Sequence, residues 1–238
     1  MVHLGSDEIL TPSSIYQATA EFIATALFVF IGAGSVIAAM AASGNEMTTG
    51  ALLCIAFAHG LAIMLLVSAT ANISGGHINP AVTIAAALTG EIGISKGVLF
   101  IIAQVVGAIF GAFLLNIIVP DTYAGNLGAH GLGNLVDGTN SALLAEIILT
   151  FVLVFVIFAT AIDKRGLSNY APAAIGLVVL VDHLVGVQMT GASMNPARSI
   201  GPAVIAGVWD DHWLYWVGPI TGGLLAAFVY KLTFNRRP

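Results

Sequence analysis

The sequence predicts an all-α membrane protein: six transmembrane helices plus two re-entrant half-helices, one domain over residues 1–238 built from inverted repeats at about 15–119 and 141–233. Three observations carry that expectation: an apolar composition, long apolar segments, and two Asn-Pro-Ala triplets in matching places. Hydrophobic residues make up 58% of the chain and charged residues 8%, with a mean hydropathy of +0.98. Soluble domains are roughly a quarter charged, so most of this surface must face lipid.

The net charge of −5 and pI near 5.5 provide no basic patch for nucleic acid. A single cysteine, Cys54, excludes an internal disulfide and any multi-cysteine metal site. No Ser/His/Asp order, metal-ligand cluster or phosphate loop marks an enzyme, and nothing calls for a metal or cofactor. Residues 1–14 include Asp7 and Glu8 but no Lys or Arg, unlike a cleaved signal peptide, so the first span is expected to act as its own insertion signal.

A spanning helix needs about 20 apolar residues. Segments of that kind fall at about 15–40, 51–71, 97–119, 141–161, 171–188 and 213–233. Two of the breaks, 71–96 and 189–212, lack loop composition: 79–89 (NPAVTIAAALT) and 195–206 (NPARSIGPAVIA) are largely apolar. With six spans, one side holds Lys96, Lys164, Arg165, Lys231, Arg236 and Arg237, and the other only Arg198. This positive-inside imbalance places both termini in the cytoplasm.

The halves also repeat. Ala20-Glu21 matches Ala145-Glu146, Gly75…Asn79-Pro80-Ala81 matches Gly191…Asn195-Pro196-Ala197, and Gly107, Ala112 and Phe113 match Gly222, Ala227 and Phe228. Three spans per copy is an odd number, so the second copy inserts upside down and the functional site falls near the midplane.

Asn is a good N-cap and Pro favours the first helical position, so each Asn-Pro starts a helix. Ten residues rise about 15 Å, half the hydrocarbon core, and two such half-helices from opposite sides abut. The approaches Gly75, Gly76, His77 and Gly191, Ala192, Ser193 cannot be helical throughout, so their carbonyls must be buried in protein or line a water path. That geometry predicts a conduit with two Asn amides at its centre and two positive dipole ends repelling cations. Buried Glu21 and Glu146 are expected to bond the backbone N–H groups of the re-entrant loops or ordered water beside them.

The twin motifs NISGGHINPAVT and TGASMNPARS, with paired AEF and AEI helices, resemble the major intrinsic protein family of aquaporins and aquaglyceroporins, from about residue 16 to 232. The resemblance implies a homotetramer with one pore per subunit, passing water and small neutral solutes across the lipid bilayer. It also places a selectivity filter at His59, His183, Ala192 and Arg198. A guanidinium at Arg198 must bond loop carbonyls and face water, where it adds a barrier to cations; snorkelling to headgroups is the alternative.

His183 is similar to the histidine of water-selective members, and Ser199, Ala203, Tyr215 and Trp216 also resemble the water-type pattern. As a lone transmembrane histidine it also fits an interhelical bond. His59 departs from the Phe of orthodox water channels. Two His with Ala and Arg resemble the plant hybrid intrinsic proteins, and ATANISGGHINPAVT looks tonoplast-like. His59, Ile63 and Val67 share a helix face, which fits pore lining and ordinary packing alike. The reading is fast water flow with passage of ammonia or hydrogen peroxide beside it.

Three residues stay open. Asp182 either faces the outer vestibule and perturbs His183 or reaches interfacial water. His130, in the 120–140 loop, either reaches the filter or is a solvated loop residue. His77 is a loop-packing residue or a gate. A glycerol facilitator is the runner-up function; a secondary transporter shares inverted repeats but lacks a further carboxylate for a coupling ion. Plasma and vacuolar membranes both fit.

Overall fold

A computed structural model describes Leu4 and residues 11–234, and all regular structure among them is helical. In chain order the helices are α1 (Pro12–Ala42), α2 (Thr49–Thr70), α3 (Pro80–Leu88), α4 (Ile94–Ile118), α5 (Asp121–Ala124), α6 (Gly138–Ile157), α7 (Ala171–Thr190), α8 (Pro196–Ala206) and α9 (Leu214–Thr233). A π turn at Phe158–Ile162 extends α6. Arg236, Arg237, Asp7 and Glu8, used in the charge and leader arguments, lie outside the described residues.

Five helical segments are long and apolar enough to cross a membrane: Pro12–Ala42, Thr49–Thr70, Ile94–Ile118, Gly138–Ile162 and Ser168–Thr190. The sixth span is α9, as long as α6 and α7 at 20 residues but diluted by Trp216, Pro219, Thr221 and Lys231. Each span ends within a few residues of its sequence-based boundary.

Helix α1 packs on α4 and α2, while α6 packs on α9 and α7, and α2 closes the bundle against α7. The half-helices cross over: α3 lies against α9 as well as α4, and α8 against α4 as well as α9. Each short helix is thus clamped by both halves. Small residues permit the close crossings, as is usual where lipid gives no hydrophobic drive between helices. Gly107 and Gly111 of α4 lie on the backbone carbonyls of Phe22 and Ala26, and Gly222 of α9 on that of Ile147. Lys231 Nζ bonds the Thr89 carbonyl and Glu91 (3.0 Å), setting a cation at the C-terminal end of α3, where the helix dipole favours it.

Candidate channel and its constriction

Asn79 and Asn195 each cap a half-helix, with Pro at its first position. Asn79 Oδ1 accepts from Ala81 N at 2.9 Å, and Asn195 Oδ1 from Ala197 N at 3.0 Å and Arg198 N at 3.2 Å. Their amides then cross the midplane. Asn79 Nδ2 donates to Met194 O at 2.8 Å, and Asn195 Nδ2 to Ile78 O at 2.9 Å. One N–H of each amide is left over, and both asparagines line a cavity of about 650 Å³.

The approaches are held by the two buried carboxylates. Glu21 accepts from Ser74 Oγ (2.6 Å), His77 N (2.9 Å), Ile78 N (2.7 Å) and Gln104 Nε2 (2.8 Å). Glu146 accepts from Thr190 Oγ1 (2.6 Å), Ser193 N (2.9 Å) and Met194 N (2.9 Å). Those bonds offset the cost of burying a charge and fix an uncommon backbone: Ile78, Ala192 and Met194 have φ of 56°, 57° and 51°. Positive φ at a β-branched residue such as Ile78 persists only where its surroundings over-determine it.

The cavity runs from the end where α2 stops and α7 starts, past Ile63, Val67, Gly75, Gly76 and His77, to Ser193, Met194 and His183. Gly191 and Ala192 are not among its lining residues, and His183 marks its far end. There the His59 and His183 rings stack with centroids 4.2 Å apart. Arg198, 2% exposed, donates from Nε to His59 Nε2 (3.2 Å) and from Nη1 to Gly128 O (2.9 Å). It is buried, tied to one loop carbonyl and one imidazole, rather than snorkelling to an interface.

The tautomers follow from these partners. Arginine can only donate, so His59 Nε2 accepts, and its Nδ1–H donates to Ile55 O at 2.9 Å. His183 Nδ1–H donates to Val179 O at 2.8 Å, leaving Nε2 buried without a protein partner. His59 is therefore spoken for on both nitrogens, while His183 keeps one free acceptor.

His130 is buried at 7% exposure, which corrects the solvated-loop alternative. Its Nδ1 lies 2.8 Å from Ser199 Oγ, itself 2.5 Å from Ser193 Oγ, and its ring packs against Tyr215 and over Gly191. Asp182 is 4% exposed, with Oδ2 buried and unpartnered. It shares a helix face with Gly186, which abuts Leu149 and Ala192, and so points into the bundle. His77 Nδ1 bonds Thr83 Oγ1 at 3.0 Å and its ring lies edge-on to Phe100, while it also lines the cavity.

Three functional residues escaped the sequence reading. Gln104 bridges Glu21 and Thr83 (2.9 Å) and left one signal, an amide in the middle of an apolar span. Gly128 supplies a carbonyl to Arg198, and Gly32 abuts His59; nothing in the sequence singled out either.

Two facing half-helices, carboxylate-braced loops and a cavity reaching into a six-span bundle past both asparagines define a polytopic membrane channel architecture. The family model described as Major intrinsic protein matches residues 8–230, and the chain belongs to that family. "Probable aquaporin TIP3-2" of Arabidopsis thaliana is 46% identical over 235 residues, covering 95% of this chain and 86% of its own. "Aquaporin-4" of Mus musculus is 48% identical over 218 residues, covering 91% of this chain and 66% of its own. Among solved structures, the aquaglyceroporin from Plasmodium falciparum superposes with a TM-score of 0.81 at 20% identity, over 92% of this chain and 96% of that one, and so shares the fold.

Proposed function

We propose that the protein is a passive water channel that excludes ions and protons. The observation that carries this reading is the midplane pair: two capping amides, each tied to the opposite loop and each with an N–H left toward the cavity. Water passing between them meets donors from both sides, while the converging helix N-termini and the Arg198 guanidinium repel cations and hydronium. His59, His183, Ala192 and Arg198 form the selectivity filter, with His183 Nε2 as acceptor and Arg198 as donor. The backbone at Gly75, Gly76, His77, Gly191, Ala192 and Ser193 forms the approaches on either side of the asparagines. Relatives carrying aquaporin names support the same reading.

Ammonia and hydrogen peroxide are proposed to follow water, because a filter of two imidazoles and a small Ala192 is polar without charge beyond Arg198. His130 and Asp182 act on the filter from behind, His130 through Ser199. The channel is one transmembrane domain of two repeats, assembles as a homotetramer with a pore in each subunit, and keeps both termini cytoplasmic. No cofactor or catalytic step is involved.

Reconstitution in liposomes with stopped-flow light scattering under an osmotic step tests this. Fast shrinkage with low activation energy and no glycerol re-swelling is expected. Glycerol re-swelling would replace the water-selective reading with a facilitator, and saturable, gradient-coupled uptake would replace it with a transporter.

A further inference from the structure

We propose that Gly32 of α1 is a further selectivity determinant of this channel: lacking a side chain, it is the seat into which the His59 imidazole withdraws, and it thereby sets the width and hydrogen-bonding pattern of the constriction. This rests on the channel reading above.

A Cβ at position 32 would lie 2.6 Å from His59 Nε2, 2.8 Å from Cδ2 and 3.3 Å from Cε1. Ordinary carbon contacts begin at about 3.5 Å, so a methyl group there forces the ring to retreat by most of an ångström. Gly191, under the His130 ring, is a parallel case, but the tight glycines of the α1–α4 crossing differ in kind. Gly107 and Gly111 meet backbone atoms of α1, as helix-packing glycines do, whereas the three atoms nearest Gly32 all belong to one side chain, that of His59. Phe28, one turn earlier on the same face of α1, completes the seat edge-on to the ring, with centroids 5.8 Å apart.

The ring has no slack elsewhere. His183 stacks on it, Nδ1 is tied to Ile55 O, and Nε2 is the acceptor for Arg198 Nε. Retreat from α1 takes Nε2 off Arg198 and moves the imidazole across the constriction. One glycine thus keeps the passage open and keeps the guanidinium anchored, which frees His183 Nε2 to be the acceptor offered to a solute. Position 32 tunes the filter from outside it, by deciding where a filter side chain rests.

The full-length chain, reconstituted in liposomes at matched protein content, tests this through water and glycerol permeability of the wild type, Gly32→Ala, His59→Ala and the double variant. Gly32→Ala is expected to lower water permeability about tenfold, equivalent to a rise of ~1.4 kcal/mol in the permeation barrier. The double variant is expected to return to the His59→Ala value. Equal flux in Gly32→Ala and wild type overturns the assignment. So does a drop of the same size whether or not the His59→Ala change is present, which would make Gly32 a helix-packing glycine only. Should Gly32→Ala not assemble, recovery of assembly and flux in the double variant supports the proposal and continued loss overturns it. A wild type that conducts no water overturns the channel reading itself, and is told apart from the other failures because it precedes any variant.

Discussion

Asn79 donates its amide to the carbonyl of Met194, 115 residues along the chain, at 2.8 Å. Asn195 returns the bond to Ile78 O at 2.9 Å. Each asparagine therefore caps its own half-helix and pins the loop that leads into the other, so the two repeats are locked where a solute must pass. Asn195→Asp separates these roles. The carboxylate still accepts from Ala197 and Arg198 but no longer donates to Ile78, and it sets a negative charge at the midplane. A charge about 4 Å from a passing cation attracts it by about 4 kcal/mol at an effective dielectric of about 20. Proton or sodium leak in vesicles is expected to rise by at least about tenfold; an unchanged leak would count against the midplane as the ion barrier.

The carboxylates that brace the loops should differ in weight. Glu21 takes four hydrogen bonds and Glu146 three from the residues around them. Bonds to a charged group contribute about 1.5–3 kcal/mol each, and glutamine turns one acceptor oxygen into a donor facing backbone N–H groups. Glu21→Gln and Glu146→Gln are each expected to lose about 2–4 kcal/mol, Glu21→Gln the more. Melting in detergent reads this directly, and wild-type melting of both variants would show that the loops hold without them.

At the opposite end of the pore axis from the filter, Asp163 accepts from Arg165 Nε (2.9 Å), Arg165 Nη2 (2.5 Å) and Tyr230 Oη (2.9 Å), joining the turn after α6 to α9. The Arg165 guanidinium beside Asp163, above all through its side-chain hydrogen bonds, holds its carboxyl well below the usual carboxylate range. A carboxylate with a depressed folded pKa stabilises above its unfolded value of about 3.9 and loses that contribution as pH falls below it. Asp163→Asn is thus expected to lower the melting temperature by the same amount at pH 8 and pH 5.5, with the gap to wild type shrinking below about pH 4. A gap that changes between pH 8 and 5.5 would contradict the assignment.

The elements legible in the sequence were those set by local chemistry. Asn79-Pro80 and Asn195-Pro196 announce helix starts in any context, and Glu21 and Glu146 stand out because a carboxylate in an apolar span must have donors. What escaped was set by surfaces that meet only in three dimensions. His130 reaches Ser199 because its loop lies close on the bundle: Gly128 abuts Ala33, and Gly133 N donates to Met189 O at 2.8 Å. No spacing rule encodes that approach. Asp182 looked exposable because it lies near a helix end, but its place on the Gly186 face turns it inward. The histidines proposed for the filter, His59 and His183, were placed by the family resemblance, whereas Gly32, beside His59, lies on a helix that the resemblance did not draw on.

His183 gives the sharpest test of what the constriction selects. Its ring fills the passage against His59, and its Nε2 is the acceptor left unpartnered there. His183→Ala removes both the bulk and the acceptor, while Arg198 keeps its bonds to His59 and Gly128. If width decides selectivity, glycerol permeability rises by at least about tenfold and water changes by less than about threefold, the scale on which pocket size alone discriminates. If the acceptor decides it, water permeability falls as well, because each molecule crosses without the bond that replaced its hydration. His183→Asn discriminates further, since it restores an acceptor in a smaller volume: recovery of water flux with glycerol still passing assigns water conduction to the hydrogen bond and glycerol exclusion to the ring. Glycerol exclusion intact in both variants would move the filter away from His183 and sink the assignment.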